Sequence, residues 1–181
     1  MRRVSLLSIL IVMTSIAVAQ DWELAKDKND IQVYTHPVKA SDFKEFRGIM
    51  EVDAPVSAIV AALRDIDSYP EWMPNAASSE VLSARGDTQV VYRLVTDAPW
   101  PIRDRDGIYA MHFENKAGSR AVLIRLEALP DRLPADPDHI RIRKLTGYWR
   151  LHPQGDGAVQ VTYQVLTDPG GKVPVRHRST T

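Results

Sequence analysis

Cysteine is missing from all 181 residues, which excludes disulfides, thiol catalysis, cysteine-ligated zinc and a lipid-modified N-terminal cysteine. An excess of either charge is missing too, since 23 basic residues balance 23 acidic ones. Without a basic stripe, nucleic acid is not the expected partner. There is no G-x-S-x-G elbow, no phosphate-binding glycine loop, no G-x-G-x-x-G and no H-E-x-x-H. The histidines, His36, His112, His139, His152 and His177, are scattered, and Asp136, Asp138 and His139 read as a polar turn. No ligand set of the usual kind stands near them, so neither a metal nor another cofactor is expected. Internal repeats and low-complexity blocks are absent as well.

A long apolar run occurs once, at the start. Arg2 and Arg3 precede an uncharged stretch over residues 4–16, and Ala17, Val18 and Ala19 follow with A-x-A cleavage spacing. The run is short for a membrane span of about 20 residues. Residues 1–19 are therefore expected to be a signal peptide, leaving a mature chain that begins at Gln20 and is periplasmic or secreted. Removing Arg2 and Arg3 leaves 21 basic against 23 acidic residues, a mature charge of −2. Residues 20–171 are long enough for one domain with a real core.

Within that domain the hydrophobic period switches. Residues 21–29 suggest a small helical turn around Trp22 and Leu24, and residues 31–34 and 42–52 alternate as strands. Asp53 as the candidate N-cap and Pro55 at or near the first helical position signal a helix start, and Val56, Ile59, Val60 and Leu63 recur at helical spacing to about Asp67. Tyr69 to Pro74 (YPEWMP) is an aromatic, proline-rich turn that either plugs the helix end or lines a pocket mouth. Period two then dominates over 80–85, 89–96, 108–114, 121–128, 139–151 and 158–167, with a parity switch near Arg143 to Leu145 that suggests a bulge. Short turns between successive strands predict an antiparallel sheet of seven or so strands with one long helix, an α+β domain.

Residues 97–109 (DAPWPIRDRDGIY) stand at the centre of this pattern. Pro99 and Pro101 stiffen the crossing between two strands. Arg103, Asp104, Arg105 and Asp106 follow either as a solvated turn or as a salt-bridged structural corner locking one strand pair to the next.

The order YPEWMP, WPIRDRD, GYWRL and TDPGG resembles the START (StAR-related lipid transfer) domains, specifically their bacterial secreted members. The resemblance implies a helix-grip fold, in which a curved antiparallel sheet grips a long C-terminal helix around a hydrophobic pocket. It implies non-enzymatic binding, and transfer, of a lipid or other hydrophobic small molecule, with transient membrane contact. The alternative within the same superfold is a pocket enzyme of aromatase/cyclase or hydrolase type. Residues 172–181 (KVPVRHRSTT) contain Pro174 and cannot supply a stable helix, so the C-terminal helix is expected to be truncated to a short irregular tail. With such a helix present the protein would be expected as a monomer.

Val90, Tyr92, Leu94, Tyr109, Met111 and Phe113 share strand faces and, with Trp72, are the candidate pocket lining. The same residue types serve equally as plain core. No catalytic residue is assigned. Tyr92 and Tyr109 are the inward ionisable groups of this face assignment, and both are weak acids at neutral pH, which favours a binder. Arg125 and Glu127 share a face expected to be exposed and charged.

Overall fold

The computed structural model describes residues 22–115, 120–155 and 157–171. The expected signal peptide, its expected cleavage point and the tail after Gly171 lie outside these residues. The chain runs β1 (Glu23–Lys28), β2 (Ile31–His36), β3 (Glu45–Val52), α1 (Val56–Arg64), a 3-10 turn (Ile66–Ser68), α2 (Tyr69–Trp72) and β4 (Ala76–Arg85). Then come β5 (Gln89–Thr96), β6 (Arg105–Asn115), β7 (Val122–Ala128), β8 (Ile140–Arg141), β9 (Lys144–Pro153) and β10 (Val159–Asp168). The strands form one sheet in the order β1-β2-β3-β10-β9-β7-β6-β5-β4, each neighbouring pair antiparallel, with the two-residue β8 lying parallel to β6. The α+β, antiparallel class expected from the alternation is the observed one.

Four local readings change. Residues 21–29, expected as a helical turn, contain strand β1, because Asn29 and Asp30 adopt φ of 53° and 59° and fold it straight back onto β2. Asparagine and aspartate tolerate this left-handed region, which suits a two-residue hairpin turn. Pro55, not Asp53, occupies the N-cap of α1, with no side-chain cap bond. The aromatic turn after it is a second short helix, because Pro70 sits in the first turn of α2, where its missing N–H is not needed. The parity switch within 139–151 is a break between β8 and β9 rather than a bulge in one strand.

Both edges of the sheet are irregular. The β1–β2 register shifts between Leu24 and Lys26, and the β4–β5 register shifts between Ala76 and Ser78 and again between Val81 and Ser83.

The two helices cover part of the concave face. Leu63, Ile66 and Tyr69 pack there against Val90, Tyr92, Met111, Ile124, Leu151 and Val161 in one apolar cluster. A smaller cluster occupies the opposite, convex face, where Val91, Ile108 and Ala110 lie under Leu82, Leu129 and Leu133. This second layer explains why β5 and β6 are apolar on both sides, while the outer strands alternate.

Candidate ligand groove

Between α1 and the β3–β10–β9 part of the sheet lies an open groove of about 360 Å³. Met50 and Val52 of β3, Val161 of β10 and Trp149 of β9 form its sheet wall. Ala58, Ile59, Ala62 and Leu63 of α1 form the other wall, with Ala54 before that helix and Trp72 of α2 completing the lining. Every one of these side chains is apolar. The alanines keep the helix wall shallow, which is what leaves space between the layers. Trp149 stacks on Tyr163 with centroids 4.1 Å apart, and Phe46 meets Tyr163 edge-on at 5.5 Å. Trp72 stands edge-on to Tyr69 at 5.0 Å and is 46% exposed.

Beside the groove the same face carries four phenols. The Tyr69 hydroxyl donates to the Leu63 carbonyl at 2.7 Å, tying α2 to the end of α1. Tyr69 meets Tyr92 at 5.8 Å, and Tyr92 meets Tyr109 at 5.5 Å. Burial pushes the pKa of Tyr69, Tyr92 and Tyr109 well above the usual phenol value, and each is raised further by neighbouring phenols. Burial lifts Tyr163 to about 12. All four are therefore neutral hydrogen-bond donors at physiological pH and poor proton shuttles. Tyr109 lies across Gly107, where an added Cβ would come within 2.0 Å of the hydroxyl, so the ring position requires glycine.

The sequence-derived lining residues divide between groove and core. Val90, Tyr92, Leu94, Tyr109 and Met111 are buried in the concave cluster. Phe113 packs at its margin, with the Arg64 guanidinium 4.0 Å from its ring centroid. Of the seven, Trp72 lines the apolar groove. The other groove walls come from β3, β9 and β10, which sequence reasoning left out of the pocket. A signal for them existed, because Met50 and Val52, Trp149 and Leu151, and Val159 and Val161 each recur at period two on one strand face. What the sequence lacked was the strand order that sets these three side by side.

The charged corner is built differently from its linear pattern. Arg105 and Asp106 belong to β6, so their side chains leave on opposite faces and do not pair with each other. Arg105 lies on the concave side, buried, donating to the carbonyls of Arg103 and Pro169. Asp106, fully buried on the convex side, receives two bonds from Arg141 at 2.9 and 2.7 Å, with Arg93 at 3.4 Å. Burial alone would raise the Asp106 pKa, but the Arg141 bond and charge, followed by Arg93, outweigh it and hold the carboxyl below its usual value. The Arg141 guanidinium also donates to the carbonyls of Pro130, Leu133 and Pro134, strapping the proline-rich loop to the sheet. Asp104 accepts the Ala98 N–H at 2.8 Å, and Arg103 donates to the Pro137 carbonyl. Arg125 and Glu127 stand exposed on the convex face, paired across strands with Glu114 and His112.

This arrangement has known counterparts. The profile of the family described as "Polyketide cyclase / dehydrase and lipid transport" matches residues 52–177. The chain belongs to this family. An uncharacterized protein of Pseudomonas aeruginosa is 37% identical over 158 residues, 87% of this chain and 77% of that one. The crystal structure of a STAR-related lipid transfer protein fragment from Xanthomonas axonopodis superposes with a TM-score of 0.79 at 42% identity, covering 84% of this chain and 85% of that one. Human StAR-related lipid transfer protein 5 shares the fold at a TM-score of 0.71 and 17% identity, over 85% of this chain and 75% of that one. The resemblance to START domains thus extends to the three-dimensional helix-grip architecture. Within the polyketide cyclase and lipid transport match lie α1, α2, β9 and β10, hence most of the groove, while Met50 precedes it.

Proposed function

We propose that the protein binds one lipid or other hydrophobic small molecule in the groove between α1 and strands β3, β10 and β9, without chemical change. The observation that carries this reading is the lining itself, about 360 Å³ of open space with apolar side chains on every wall and two tryptophans among them. Apolar ligands gain from such a surface in proportion to the area removed from water. The likeness to a STAR-related lipid transfer protein at 42% identity supports the same class of ligand.

The family description also includes cyclases and dehydrases, so chemistry in the groove is the competing reading. Such chemistry needs an acid or base poised near neutral pH. Among the described residues the titratable groups within the concave apolar cluster are tyrosines, whose pKa values move away from neutrality, and the buried Arg105 on the same side donates to backbone carbonyls. His112 lies on the convex side of β6, paired with Glu127. The balance favours binding.

The test is mass spectrometry of organic extracts from exported, purified protein, followed by uptake of a fluorescent fatty acid and a fluorescent sterol by the stripped protein. A co-purifying lipid or saturable uptake at one site per chain is expected. Absence of both, or turnover of an added hydrophobic ketide, would overturn the reading.

A further inference from the structure

Three of the four concave phenols leave their hydroxyls unused. The Tyr69 proton goes to the Leu63 carbonyl at 2.7 Å. Among the described residues the hydroxyls of Tyr92, Tyr109 and Tyr163 have no hydrogen-bond partner, and none of these three oxygens is sealed from solvent. We propose that they form the polar end of the ligand groove and seat a neutral carbonyl oxygen, that of a ketone or ester, on an otherwise apolar ligand. This assignment deepens the binding role proposed above and rests on it.

The sheet gathers the three rings. Tyr92 and Tyr109 are paired directly across β5 and β6, with centroids 5.5 Å apart. Burial comes first in raising the pKa of both, and the Tyr163 phenol on β10 adds to each, so its hydroxyl lies within electrostatic reach of theirs. Both groove tryptophans lead to this group. Trp149 stacks on Tyr163 at 4.1 Å, and Trp72 meets Tyr69, which meets Tyr92 at 5.8 Å. The apolar lining therefore runs into phenols at two points.

The chemistry selects the head group. Phenylalanine would pack in these places without the cost of an unmade hydrogen bond, so the hydroxyls call for an acceptor from outside. A carbonyl oxygen offers two lone pairs and brings no proton, whereas an alcohol adds another donor to satisfy. A carboxylate would need a cation to offset its desolvation. Arg105, on the same side, spends its bonds on the carbonyls of Arg103 and Pro169. Behind burial and Tyr163, Tyr109 feels Asp106 and Arg141 in opposite senses, and those two are paired with each other. A neutral acceptor is what remains.

The donors are also fixed in position. The Tyr109 ring lies across Gly107, and Tyr163 is held between the Trp149 face and the Phe46 edge. Rings already ordered lose little entropy when a ligand arrives. A site that donates to a ligand oxygen rejects the analogue lacking it more sharply than an apolar wall rejects a missing methylene.

Displacement of the oxygen-free fluorescent probe N-phenyl-1-naphthylamine from the purified protein tests this, with 2-undecanone, undecane and decanoate as competitors at neutral pH. The ketone is expected to compete about tenfold better than either of the others. Substituting Tyr92→Phe, Tyr109→Phe and Tyr163→Phe together should remove that advantage and leave probe affinity and melting temperature unchanged. Tyr163→Phe alone should remove part of it. The carbonyl stretch of the bound ketone is expected at lower frequency than in hexane. Equal competition by ketone and alkane, stronger competition by decanoate, or an advantage that survives the triple substitution would each overturn the proposal. Because the probe carries no oxygen, its failure to bind would sink the groove reading and this proposal together, whereas probe binding without a ketone preference would sink the role of the hydroxyls alone.

Discussion

The concave and convex faces of the central strands are both partly buried, but different physics holds each of them. On the concave side apolar and aromatic groups pack without ion pairs among the residues of the cluster, and a groove stays open at β3, β10 and β9. On the convex side a fully buried carboxylate, Asp106, is gripped by Arg141 and approached by Arg93. The apolar side tolerates empty space because exposed methyl groups and rings cost only their area. Around Asp106 the ionic side has no such freedom, because a buried charge without its partner is costly far beyond any area term. The proposed ligand groove lies on the first kind of surface, and the Asp106–Arg141 pair on the second fixes the frame.

If that division is right, the largest effect comes from breaking the ionic side. Arg141→Ala should cost about 3–5 kcal/mol, as expected for a buried charge stripped of its partner. For a domain of this size the melting temperature then falls by roughly 10 °C, readable by calorimetry. The same pair sets the acid limb of stability. The folded pKa of Asp106 is depressed, so its contribution is fully present above the unfolded carboxylate value near 4 and is lost as pH falls through the folded value. Urea titrations across that window should show the loss in wild type and a flatter limb in Asp106→Asn. Arg105→Ala removes charged hydrogen bonds to two carbonyls on the concave side and should cost about 2 kcal/mol in urea unfolding.

Filling the groove should do the reverse of breaking the frame. Ala62 is exposed and lines the groove, so Ala62→Trp should reduce uptake of a fluorescent fatty acid by about tenfold, roughly 1.4 kcal/mol, with little change in melting temperature. A large stability loss with uptake intact would break the proposed separation of the two faces. The smallest effect is expected at the exposed Arg125–Glu114 pair, where Glu114→Gln should shift unfolding by under about 1 kcal/mol, less in high salt.

What could be seen in the sequence follows the range of the interactions involved. The alternation over 89–96 returns as β5 with the same ends, and the apolar spacing after Pro55 returns as α1, since both are local periodicities. The hairpin at Asn29 and Asp30 was also local, but the mixed charge of 21–29 masked its two-residue turn. The partner of Asp106 could not be read, because Arg141 lies 35 positions away and reaches it only through β8. The groove escaped for the same reason. Its sheet wall joins β3 to β10 and β9, an adjacency created by a long return of the chain.

The irregular borders of the sheet have a consequence for crowded conditions. A long open sheet offers unpaired N–H and C=O groups along its first and last strands, ready templates for stacking copy upon copy. Here the last strand, β4, is kinked by two register shifts, and the first, β1, by one, with Glu23, Lys26, Asp27 and Lys28 along its length. A neighbouring copy could match such a border over only a few residues before the ladder failed. The fold can thus keep an apolar groove open to its surroundings while its edges resist growth into fibrils.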